Sequence, residues 1–212
     1  RVVEMHQPDG KPDVLQQIEH GALTVVGGYR ALGRFYRGII SPTLRQYTHL
    51  GDFAAQTDNV VFDPKTASPE PPPIGTGVPG SADDRWVFTE QNPRRELGAA
   101  AGLAASARAL RGYDDALAAE CLGIAKAIWD TTDESVVPAH PWAKDRPSAR
   151  IGLAVELLVT TGDRRYADYL VGQREAIVKS IKSTGWVVGR ALPLLGDAAF
   201  TGAITEAVKA YR

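Results

Sequence analysis

The sequence predicts an all-α fold built from consecutive antiparallel helical hairpins. Three observations carry that expectation. Apolar residues recur at intervals of three and four in successive windows, and capping residues and glycines punctuate those windows at helical lengths. No run that alternates apolar with polar residues lasts long enough to build a sheet.

The elements follow in order. Leu15, Ile18, Ala22, Val25, Tyr29, Leu32 and Tyr36 draw one apolar stripe along a first helix of roughly six or seven turns. Asp13 with Gln16 reads as an acidic variant of the capping box at its start, and Gly38 marks its end. Of the 14 prolines, Pro64, Pro69, Pro71, Pro72, Pro73, Pro79 and Pro93 fall in one interval, so a Pro/Gly-rich loop is expected at about 63–92. Such a loop is a functional segment or a surface crossover. Asn92-Pro93 then reads as N-cap and first residue of a helix with the stripe Leu97, Ala100, Ala104, Ala107, where alanine implies close packing. Gly112 ends it, and Ala118, Cys121, Ala125 and Ile128 mark the return arm of a hairpin. A second hairpin has arms at about 148–161 and 164–182, joined at Thr161-Gly162-Asp163, and a last helix spans 197–211. The first helix also carries Leu23, Val26, Leu32 and Phe35 around much of its girth, which suits the inner ring of a toroid or an interface.

Composition excludes several function classes. The 212 residues include 24 Lys+Arg against 25 Asp+Glu, for a net charge of -1, and there is no long basic block. Nucleic acid and anionic membrane surfaces are therefore not expected partners. No apolar window approaches the roughly 18 residues of a membrane span. The single Cys121 forbids an internal disulfide or a Cys-based zinc site, and His6, His20, His49 and His140 lack metal-ligand spacing, so neither metal nor cofactor is expected. No nucleophile elbow or phosphate loop occurs; Val26-Gly27-Gly28-Tyr29 lies within a helix. Because the chain opens on Arg1 without a leader pattern, it reads as a segment whose native start is out of view.

Two stretches concentrate polar and aromatic side chains. Leu44–Asp52, continuing through Thr57-Asp58-Asn59 to Asp63-Pro64, crowds aspartates, His49 and Tyr47 into a loop. It reads either as part of a carbohydrate cleft or as turn chemistry in which Asp and Asn bond their own backbone. Asp83–Glu96 brings Trp86 and Phe88 to a helix start, where they line a sugar subsite or pin the loop to the body. Arg94 and Arg95, beside Glu90 and Glu96, read as helix-start ion pairs.

These stretches, with Pro12-Asp13-Val14-Leu15, Ile18-Glu19-His20-Gly21, Pro42–Tyr47, Leu50-Gly51-Asp52, Asp84–Glu90, the alanine-rich run Ala99–Arg108 and Thr161-Gly162-Asp163 with Tyr166, resemble an internal part of the catalytic domain of glycoside hydrolase family 9, in a Bacteroidetes-like branch. The resemblance implies that 1–212 is an incomplete (α/α)6 barrel of an inverting endo-β-1,4-glucanase acting on cellulose, mixed-linkage glucan or xyloglucan. It implies a β-glucan partner, a secreted, periplasmic or cell-surface location, and substrate contacts at Tyr47, Asp58 and Trp86, with Asp52 supporting the loop. Inversion needs an acid and a base facing each other across the bond. The family's Asp-Ala-Gly-Asp and Asn-Glu motifs, which hold them, do not occur here, so the catalytic pair is expected outside the chain. Thr205-Glu206 comes nearest but sits on an ordinary amphipathic helix, and Ser148-Ala149-Arg150 with Glu156 replaces the acidic-aromatic start common before Thr-Gly-Asp. A partial toroid would expose apolar faces and is expected to self-associate or be marginally stable. The alternative is a non-catalytic helical module that binds carbohydrate or protein.

Overall fold

The computed structural model describes residues 10–36, 38–40, 86–88, 92–135 and 148–211. The chain divides into a helical unit, up to Phe35 and from Gln91 onward, and a second unit from Tyr36 to Glu90. The described residues of the first hold nine helices: α1 (Asp13–Leu32), α2 (Pro93–Leu110), α3 (Asp115–Thr131), α4 (Ala149–Thr161), α5 (Arg164–Gly172), α6 (Arg174–Lys179), α7 (Ile181–Gly189), α8 (Leu192–Leu195) and α9 (Ala198–Tyr211). The all-α class of consecutive hairpins holds.

In the second unit, β1 (Gly38–Ile40) pairs antiparallel with β2 (Trp86–Phe88), placing Gly38 opposite Phe88, Ile39 opposite Val87 and Ile40 opposite Trp86. This ladder corrects the expectation of no sheet and of an uninterrupted loop at 63–92; the rest of that interval up to Gln91 lies outside the described residues. Strands of three residues are too short to print an alternating pattern, although β-branched and aromatic residues supply the propensity.

Local chemistry sets the helix ends. Helix α1 begins at Asp13 itself, because Pro12 supplies the carbonyl that accepts the N–H groups of Leu15 and Gln16; the expected capping box is absent. It ends at Gly33, earlier than Gly38, since Gly33 adopts φ 67° and its N–H closes on the Tyr29 carbonyl. Asn92 caps α2 as expected, its side chain accepting the Arg95 N–H at 3.1 Å. Asp114 caps α3, Ser148 caps α4 and Asp163 caps α5 in the same way. The expected single arm at 164–182 is instead α5 and α6, with α7 beginning at Ile181. Gly172 weakens the first junction, and the Ser180 hydroxyl bonds back to the Ala176 carbonyl at 2.7 Å at the second, a contact that competes with the regular ladder.

The core lies where α2 packs on α3 and α4, with α1 against α2 and α3, and α4 against α5 and α7. Leu97, Ala100, Leu103, Ala104, Ala107 and Leu110 form the buried face of α2, and its alanines admit the neighbouring helices closely. Helix α4 is buried around most of its girth, which explains its lack of a polar face. In α1 the buried line is Gln16, Glu19, Ala22 and Val26, rotated from the expected stripe, while Leu23 and Leu32 reach solvent. Glu19 is accommodated in part because Tyr113 Oη donates to its carboxylate at 3.1 Å.

An ionic clamp joins three helices. Glu156 on α4 accepts from Arg108 of α2 at 3.0 Å and from Arg190 at the end of α7. Arg108 also donates to Thr160 Oγ1 at 2.7 Å, and that hydroxyl donates to the Ala104 carbonyl at 3.0 Å. Each buried oxygen is thereby satisfied, as burial demands.

Candidate functional site

At the end of the helical unit where α1 stops, α2 starts and α3 stops, a cavity of about 200 Å³ opens. Its rim and walls are Gly33, Arg34, Asn92, Pro93, Glu96, Ile128 and the exit of α3 at Thr131, Thr132 and Asp133. Each wall has a local cause. The left-handed turn at Gly33 redirects the chain, so that Phe35 is buried against Tyr29, with ring centroids 5.3 Å apart. This turn also brings the Phe35 N–H to Glu96, which accepts it at 3.2 Å.

The third wall is held by a guanidinium. Arg150 donates to the carbonyls of Trp129 and Thr132, both at 2.6 Å, and to the Glu134 carboxylate at 2.8 Å. A cation at the C-terminal carbonyls of α3 satisfies groups that have no partner within the helix and complements its dipole. Trp129 is further braced by edge contacts with Tyr166 and Tyr169 at 5.1 and 5.0 Å.

Two carboxyl groups that line the cleft have pKa values displaced in opposite directions. Burial raises Glu96 above the usual carboxyl range; the Phe35 N–H and the positive charges of Arg95 and Arg34 oppose that shift without cancelling it. Asp133 is held low because both the hydroxyl and the N–H of Ser135 bond its carboxylate. With Arg34, Asn92 and the two threonines arranged around an apolar floor of Pro93 and Ile128, the cleft can grip a small polyhydroxylated ring by its edge. A second, more open groove of about 630 Å³ runs between α8 and α9. Its only carboxylates are Asp197, which accepts the Phe200 N–H, and Glu206, which pairs with Lys209 at 2.8 Å.

Among the expected contacts, Tyr47, Asp58 and the supporting Asp52 lie outside the described residues, and Trp86 stands in β2 opposite Ile40. His20 is on the exposed face of α1, and among the described residues no group of His, Cys, Asp and Glu could hold a metal ion. No described helix is long and apolar enough to cross a membrane. Glu96, read from sequence only as a helix-start ion-pair residue, does lie 3.8 Å from Arg95, but its other oxygen faces the Gly33 turn. Asp133 and Arg34 had no sequence signal beyond their place just after helix ends.

No family model and no curated protein matches the chain. A solved structure of a metagenome-derived glycoside hydrolase family 9 endoglucanase matches 81% of this chain at 21% identity with a TM-score of 0.50, and the chain spans 28% of that enzyme's chain. At that identity the likeness is one of fold: the succession of helices in this chain follows part of the helical architecture of that enzyme.

Proposed function

We propose that these residues are an incomplete (α/α)6 domain of a glycoside hydrolase acting on β-1,4-glucans, and that the cleft around Glu96 contacts the glucan. The fold likeness over 81% of the chain carries this reading. The cleft supports it independently, because it combines hydroxyl-binding donors and acceptors with a small apolar floor. On this reading the acid and base of the inverting reaction come from polypeptide outside the 212 residues, and the protein works outside the cytoplasm. Tyr47, Asp58 and Trp86 are proposed as further sugar contacts.

The test pairs calorimetric titration of a mixed-linkage gluco-oligosaccharide with a reducing-end assay on the same sample. Binding without release is the expected result. Release would move the catalytic pair into these residues, with Glu96 and Asp133 the first to be replaced. Absence of binding to glucan, xyloglucan and cello-oligosaccharide alike would overturn the proposal. Glucan bound but never cleaved by a longer polypeptide containing these residues would favour the non-catalytic scaffold.

A further inference from the structure

Asn92 belongs both to the start of α2 and to the wall of the cleft, and the two ends of its amide are differently placed. The Oδ1 end accepts the Arg95 N–H at 3.1 Å and so caps the helix. That bond fixes the orientation of the amide, because only its oxygen can accept from a backbone donor. The other end is therefore an NH2 group. Among the described residues this Nδ2 has no acceptor, and it is not sealed from solvent. Donors are scarce around it. The Gly33 and Thr132 N–H groups close on the Tyr29 and Ile128 carbonyls at 2.8 and 3.0 Å, and Pro93 has no N–H to give. The Thr131 hydroxyl donates to the Ala127 carbonyl at 2.8 Å, which leaves it only lone pairs for a ligand. Glu96 and Asp133 already serve as acceptors, of the Phe35 and Ser135 N–H groups. Arg34 can donate as well, but its charge acts on Glu96.

A cleft richer in acceptors than in donors selects ligands whose hydroxyls supply the protons. A sugar hydroxyl that gives its proton away still has lone pairs to be met, and a neutral NH2 group suits them. We propose that Asn92 is a specificity-determining residue of the cleft, its Nδ2 donating to a hydroxyl oxygen of a glucan ring whose protons go to the acceptors around it. This inference rests on the glucan reading of the cleft and names the group that discriminates within it. A ligand without a hydroxyl at that edge leaves the NH2 group unpaired and is rejected on that account. Capping and recognition are separable at this position, because Asp and Ser cap a helix about as well as Asn does, yet neither carries an NH2 group.

The test is calorimetric titration of the whole chain, as wild type, Asn92→Ser and Asn92→Asp, with a mixed-linkage gluco-oligosaccharide, beside urea unfolding of each protein. Unfolding midpoints close to that of the wild type are expected for both variants, since the cap survives. Affinity should fall about three- to tenfold in Asn92→Ser, the span of one neutral hydrogen bond, and further in Asn92→Asp, where an acceptor replaces the donor. A second reading needs no variant to fold. The side-chain NH2 signals of Asn92 in the NMR spectrum of the wild type, assigned by their loss in Asn92→Ser, should shift as the oligosaccharide is added. Wild-type affinity in both variants, a loss of affinity that only follows a loss of stability, or NH2 signals unmoved at saturation would overturn the proposal while leaving the glucan reading intact. Failure of the wild type to bind the oligosaccharide would overturn the two together.

Discussion

Glu96 and Glu156 are both largely buried glutamates on core helices, with side chains 13% and 11% exposed, yet their surroundings differ in kind. Both Glu156 oxygens are taken by guanidinium donors reaching in from α2 and α7. Glu96 receives one backbone N–H, stands 3.8 Å from the Arg95 guanidinium, and turns toward a cavity. Burial alone therefore does not mark a site; what matters is whether the protein has already satisfied the buried group. A satisfied carboxylate joins elements, whereas one left facing open space can still exchange partners with a ligand.

The largest effect should come from breaking the clamp. Glu156→Ala strands Arg108 and Arg190 and should cost about 2–3 kcal/mol in urea unfolding, below the roughly 3–5 of a fully buried pair because both arginines reach solvent. Its glucan affinity should be nearly unchanged, which separates the two glutamates.

Glu96→Ala should cost less stability, about 1 kcal/mol for one lost hydrogen bond to a backbone donor, while weakening glucan binding at least about tenfold. Comparable losses of affinity from Glu96→Ala and Glu156→Ala would erase the distinction between them.

A smaller effect appears with pH. Between the ordinary carboxyl pKa and the higher one of Glu96, the folded protein holds more protons at this residue than the unfolded chain does. The contribution of Glu96 to stability is therefore present at low pH and declines as pH rises through that window. Glutamine does not titrate, so the stability of Glu96→Gln relative to the wild type should increase as pH rises above the ordinary carboxyl pKa of about 4. A flat difference between the two denaturation series would contradict the raised pKa.

Smallest is the response at Cys121. Burial, aided by the charge of Glu120, pushes its thiol up to about 11, so the native protein should react with a disulfide reagent at neutral pH only as fast as it opens. Reaction at the rate of a free thiol would mean that α3 is not packed as described.

Much of the fold was legible in the sequence because helix periodicity and caps are local signals. Asn92-Pro93 and Thr161-Gly162-Asp163 both place their helix ends through contacts within a few residues. The misread elements depended on non-local or competing contacts. Gly33 outranked Gly38 because the intervening residues turn toward α2, and the arm at 164–182 broke where Ser180 bonds backward. The site was the least legible part. Glu96, Arg34 and Asp133 are far apart in the chain, and only the packing of α1, α2 and α3 brings them around one cavity.

The most direct measurement is an NMR titration of the 212-residue chain with a mixed-linkage gluco-oligosaccharide, following backbone amides. Shifts concentrated at Gly33, Phe35, Glu96 and Thr131 to Asp133, and abolished in Glu96→Gln, are the expected result. Shifts absent from these amides, or unchanged in the variant, would contradict a glucan site at Glu96.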